Sequence, residues 1–349
     1  MRLLRVRAGA PVRLLLGLTA AGLVLAGCGS QSPSALASPA ASTSPPATAG
    51  ASAPTGPPTM PHSAPTGPPT LTTSALPWRL RAAVSREAAG VVSGSVVIAG
   101  GLTPGDVSVD RTWRIDPATG TVTALSPLPH AVHDVAGAVL GGNLLAIGGG
   151  RSSVYGYVQR VGPPGASAVV GQLPVARADV AALSTSRGVV VVGGYDGTTL
   201  AAPVLLSRDG RGFSTVAALP EPVRYPAVVA DGDIVWVVGG EVSGHQVNVV
   251  QQVDLARRTA RVVARLPYAI GHAAAAFVDG GLLVAGGRTD SGISDLISWL
   301  NLRTGQTSTL GHLPTPIADA GYVTVGSRLM LLGGETPTFS DRVLAVAWR

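Results

Sequence analysis

The 349-residue sequence contains no lysine, so all 25 of its basic residues are arginine, and it contains one cysteine. A single thiol excludes an internal disulfide and a thiolate metal cluster. The arginines are scattered, with only Arg257 and Arg258 adjacent, so there is no basic stripe for nucleic acid. Aromatic residues make up 4% of the chain, which leaves few rings for stacking on sugars. Tyr195, Tyr225 and Tyr268 are the candidates for that role. The sequence has no Gly-x-Ser-x-Gly elbow and no phosphate-binding glycine loop leading from a strand into a helix. Beyond the first thirty residues no apolar run approaches the length of a membrane-spanning helix.

The amino-terminal segment carries its own information. Arg2, Arg5, Arg7 and Arg13 precede an apolar stretch from Leu14 to Ala26. That stretch is too short for a stable span and suits the core of a signal peptide. It runs into Leu25-Ala26-Gly27-Cys28, which resembles the lipobox of bacterial lipoproteins. The resemblance implies a signal peptide over 1–27, cleavage before Cys28, and a thiol carrying diacylglycerol, with palmitate-type acylation. The expected address is therefore the extracytoplasmic side of the cell membrane, with lipid as the anchor. Removing four arginines and no acid from a net charge of +6 leaves about +2.

Residues 28–69 are Ser, Ala, Pro, Thr and Gly almost throughout, and Ser-Ala-Pro-Thr-Gly-Pro-Pro-Thr occurs twice, at Ser52 to Thr59 and Ser63 to Thr70. Such a segment buries too little apolar surface to offset its ordering entropy. It is expected to be a disordered stalk, stiffened by proline to roughly 3 Å per residue.

From residue 70 onward a repeat dominates. A Gly-Gly pair follows an apolar run six times, at Gly100, Gly148, Gly193, Gly239, Gly286 and Gly333. Twenty residues before each pair stands a leucine: Leu80, Leu128, Leu173, Leu219, Leu266 and Leu313. The last five leucines are each followed by proline. Each unit reads as four short strands, with the inner ones apolar on both faces. A unit of this kind cannot bury both faces alone, whereas six in a ring can. The pattern resembles the kelch-repeat family, whose blades share the glycine doublet after the second strand. The expected fold is all-β, a six-bladed kelch-type propeller over 70–349, similar to the central domain of galactose oxidase. The sixth unit reaches only its third strand, Val343 to Trp348. A strand from about 70–76 is therefore expected to complete it and close the ring.

In such a meander the loops after each Leu-Pro and after each Gly-Gly share one face. Six residues beyond the marker leucines stand Arg86, Asp134, Asp179, Tyr225, His272 and Asp319, with Glu87, His133, Arg177 and Arg224 beside them. Behind the glycines come Arg151, Asp196, Glu241, Arg288 and Glu335. The candidate ligand residues are Arg86, Arg177, Arg224, Tyr225, Glu241, His272, Arg288 and Glu335, with the arginines gripping an anion by forked hydrogen bonds. The three aspartates recur at one register and are read as turn caps that bond backbone amides between blades. His130 and His133 have metal-like spacing but no partner motif, so neither metal nor cofactor is expected. The copper site of galactose oxidase needs a cysteine that this chain cannot supply.

The resulting functional expectation is a lipid-anchored, monomeric binding module of the cell envelope, meeting a protein or glycan through the propeller mouth. The alternative is a small-sugar enzyme. Periplasmic sialic-acid mutarotases are also kelch propellers, and the resemblance implies an acid–base pair, Glu241 or Glu335, with Arg224 or Arg288 on the sugar carboxylate. A pocket of clustered Arg and Glu would favour the enzyme over a flat mouth.

Overall fold

A computed structural model describes residues 67–349 of the chain. The readings at Cys28, on the signal segment and on nearly all of the Pro-rich segment lie outside the described residues. Those described form strands and turns without a helix, arranged as six four-stranded antiparallel blades. In blade 5 the strands are Ala274–Val278, Gly281–Ala285, Leu296–Asn301 and Thr307–His312, paired in sequence order from the channel outward. Val, Ile, Leu and Ala fill the two inner strands because both faces of each blade are covered by neighbours. The core accordingly falls into six layers, one between each pair of adjacent blades. The layer that joins last blade to first brings Met330, Leu332 and Val343 against Val96, Ile98 and Ile115.

The ring closes as the repeat requires. Leu71–Arg79 is the outermost strand of blade 6, and Leu71 to Ala75 pair with Trp348 to Leu344. This strand runs a few residues further than expected, past an irregularity between Ala75 and Arg79.

The glycine doublets are stitches between blades. The second N–H of every pair donates to a carbonyl four residues beyond the next marker leucine: Gly101 to Val132, Gly149 to Arg177, Gly194 to Val223, Gly240 to Ile270, Gly287 to Ile317 and Gly334 to Val84. The approach leaves no room for a side chain. A Cβ on Gly239 would strike the Ile270 carbonyl oxygen, and its φ of 58° lies where side-chain-bearing residues rarely sit. The sequence marker and the closure of the ring thus have one physical cause.

Candidate functional site

Short antiparallel bridges join the loop after each Leu-Pro to the loop after each doublet, among them Arg224 to Glu241, Gly271 to Arg288 and Ala318 to Glu335. Both loop sets therefore lie at one end of the central channel. The residues six beyond the marker leucines form an annulus there. All six take left-handed backbone conformations: Arg86 (φ 59°), Asp134 (52°), Asp179 (58°), Tyr225 (50°), His272 (55°) and Asp319 (56°). Glycine, asparagine, aspartate and histidine tolerate this region best, so Arg86 and Tyr225 there are strained and must be held by their surroundings. A backbone chain holds them: Arg86 N–H donates to Asp319 O, Asp319 to His272, His272 to Tyr225, Tyr225 to Asp179 and Asp179 to Asp134, at 2.8–3.1 Å.

The side chains of the annulus close a second circuit. Glu335 Oε1 accepts from Arg86 Nε at 3.2 Å and from Ser85 Oγ at 3.1 Å, and Glu335 also pairs with Arg288 Nη2. Arg288 Nε donates to Asp319 Oδ2 at 2.8 Å, and Asp319 Oδ1 meets His272 Nδ1 at 2.5 Å. The other imidazole nitrogen lies 3.3 Å from Glu241 Oε2. Glu241 Oε1 accepts from Arg224 Nε at 2.8 Å, and Arg224 Nη1 donates to Asp179 Oδ2 at 3.3 Å. The Tyr225 hydroxyl donates to Asp134 at 3.1 Å, and Asp134 returns to Arg86 Nη1 at 3.5 Å. Tyr225 stacks on His272 with 3.9 Å between ring centroids.

Three arginines and His272 thus meet five carboxylates, and His133 Nε2 adds a contact of 3.3 Å to Asp134. The guanidiniums sit outermost, with side chains 24–30% exposed, while the carboxylates are 1–12% exposed. This burial sets the proton affinities. It would push Asp319 up, but His272, Arg86 and Arg288 hold it at about 2. The hydrogen bond from His272 holds Glu241 at about 2, with help from Arg224 and against burial. Burial opposes the charge on His272, yet Asp319 and Glu241 raise its pKa, so it favours the imidazolium. Asp179 differs: burial and neighbouring Asp134 lift it to about 6, against Tyr225 and the arginines. Burial lifts Asp134 as well.

Beneath the annulus lies a cavity of about 510 Å³, walled chiefly by Ala, Val and Gly of the inner strands. The Tyr322 hydroxyl binds both the N–H and C=O of Val228, two blades away, and so crosses the channel three residues below the annulus.

Seven of the eight candidate ligand residues meet in this arrangement, and Arg177 does not join them. It stands four residues after its marker leucine, the register of Val84, Val132, Val223, Ile270 and Ile317, all core positions. Its guanidinium is turned inward onto the carbonyls of Gly193 and Pro203. Among the other polar residues of these loops, Asp196 caps its own turn at Thr198 and Thr199, and Arg151 is exposed. The three aspartates are corrected from turn caps to members of the charged circuit: their backbones bond the backbones of neighbouring blades, and their carboxylates bond side chains rather than backbone amides. His133 contacts Ser108 and Asp134, and His130 stacks on Tyr157 at 4.4 Å.

No protein-family model matches the chain, and no curated protein matches it. A solved structure described as "Structure of YjhT" is similar to it with a TM-score of 0.66 and 18% identity, covering 77% of this chain and 96% of that one. At that identity the likeness establishes the propeller fold.

Proposed function

We propose that the channel mouth is a small-molecule site whose chemistry is acid–base work on a small sugar, of the mutarotase kind. The protein that carries it is lipid-anchored through Cys28 outside the cell membrane. The observation behind this reading is the charged annulus set over a cavity, rather than over a flat face. A cavity of this volume suits a molecule that enters it.

Interconversion of anomers needs one group to take the proton of the anomeric hydroxyl and another to protonate the ring oxygen. Asp179, near 6, is suited to exchange a proton at neutral pH, whereas Glu241 is held as an anion. Tyr225 and the His272 imidazolium are the proton-bearing neighbours. Anomer exchange followed by NMR, across a panel of aldoses and a sialic acid, tests the reading. It predicts exchange above the buffer rate and a loss of about a hundredfold in Asp179→Asn. Exchange at the buffer rate for every sugar would contradict it.

The second reading is a non-catalytic envelope module that binds a glycan or a protein. It draws on the aromatic group of His130, Tyr155 and Tyr157, whose ring centroids lie 4.4–6.3 Å apart outside the annulus.

A further inference from the structure

Glu87 follows Arg86 in the chain, yet takes no part in the charged circuit. Its side chain reaches from blade 1 to the first residue of the innermost strand of blade 6, where Oε1 accepts the Gly321 N–H at 3.2 Å. Gly321 makes room for it, because a Cβ there would lie 2.7 Å from Oε1. Oε2 has no partner, and the residue is 5% exposed while lining the cavity just under the annulus. No cation among the described residues pairs with it. Blade 6 presents Asp319 to it, whose charge also favours the proton, while Arg86 turns its guanidinium to Asp134 and Glu335. Burial raises its pKa to about 8.

We propose that Glu87 is a neutral hydrogen-bond donor to a ligand reaching below the annulus, and that this ligand presents an uncharged carbonyl oxygen there. A buried polar atom without a partner costs stability, and a ligand acceptor removes that cost. The circuit above supplies the complementary half. Three of its carboxylates, Asp134, Asp179 and Asp319, line the cavity with Arg86 and His272, so it receives hydroxyl donors and disfavours a further negative charge. Together the two layers select a neutral polyol with one carbonyl, such as an acetamido sugar. The assignment rests on the mouth being a small-sugar site.

The test compares N-acetyl-D-glucosamine, D-glucose and D-glucuronate by calorimetric titration of the wild-type protein, Glu87→Gln and Glu87→Leu. In Gln the amide oxygen keeps the Gly321 N–H and the amide nitrogen replaces the hydroxyl donor. Wild type is expected to prefer the acetamido sugar over glucose by about two- to tenfold, with glucuronate weakest. Glu87→Gln keeps this preference and Glu87→Leu loses it. Above pH 8 the wild-type preference declines as Glu87 ionises, and in Glu87→Gln it stays flat. An absent wild-type preference, or one equal in Glu87→Leu, would overturn the assignment, as would failure of all three sugars to bind. Anomer exchange on the same samples separates the two readings. Binding without exchange removes the enzymatic reading and leaves Glu87 in place. Exchange without an acetamido preference does the reverse.

Discussion

Asp319 carries more of the annulus than any other side chain. Nearly buried, it holds His272 and Arg288 directly, and Arg86 Nε lies 3.6 Å away. Asp319→Asn would leave those cations without their shared anion, which for a buried pair costs on the order of 3–5 kcal/mol. The sign of its pH dependence follows from its lowered pKa. Its stabilisation is present above the ordinary 3.8 and is lost as pH falls toward about 2. Asp179 acts oppositely: its contribution is full below 3.8 and declines as pH rises to about 6. Denaturant titrations should therefore show a large stability loss in Asp319→Asn at pH 7 that narrows below pH 3. A variant as stable as wild type at pH 7 would show that the circuit is ornamental. At this scale the sequence was partly legible. Register alone brought Arg86, Tyr225 and His272 to one annulus, since equivalent positions in a repeat share a place. The same register, applied four residues after the marker leucine, would have withdrawn Arg177. What no register could show was which groups pair, because the carboxylates of Asp134, Asp179 and Asp319 reach side chains from neighbouring blades.

Among the elements, the strand Leu71–Arg79 decides whether the ring is closed. It covers the edge of Arg342–Trp348, and Leu71 packs on the layer between blades 5 and 6. Deleting residues 71–76 should sharply lower the melting temperature or cause aggregation through the bared edge. Deleting residues 30–60 should leave the melting temperature unchanged. Equal melting temperatures for both deletions and the parent would mean that this strand does not hold the ring. The strand was foreseeable because a count of four per blade left one place empty. Its extension to Arg79 was not, since the irregular stretch after Ala75 leaves no alternation to follow.

For the whole molecule, address and activity are separate claims and fail separately. Cys28→Ala should abolish incorporation of labelled fatty acid and leave the precursor uncut, and a labelled variant would contradict the anchor. The central claim is that function resides at the annulus rather than at the short turns on the opposite end, such as Gly141 to Asn143 and Asp279 to Gly281. The left-handed backbone at six aligned positions, the ring of charges and the cavity beneath all lie at the same end. The most direct measurement is chemical-shift mapping of a bound sugar on the propeller, together with its affinity for Arg224→Ala, Arg288→Ala, Asn143→Ala and Asp279→Ala. The account predicts shifts confined to the annulus and cavity, affinity lowered about tenfold or more by either arginine change, and no effect from Asn143→Ala or Asp279→Ala. Shifts clustered around Gly141 to Asn143 and Asp279 to Gly281, with both arginine variants binding as wild type, would contradict it.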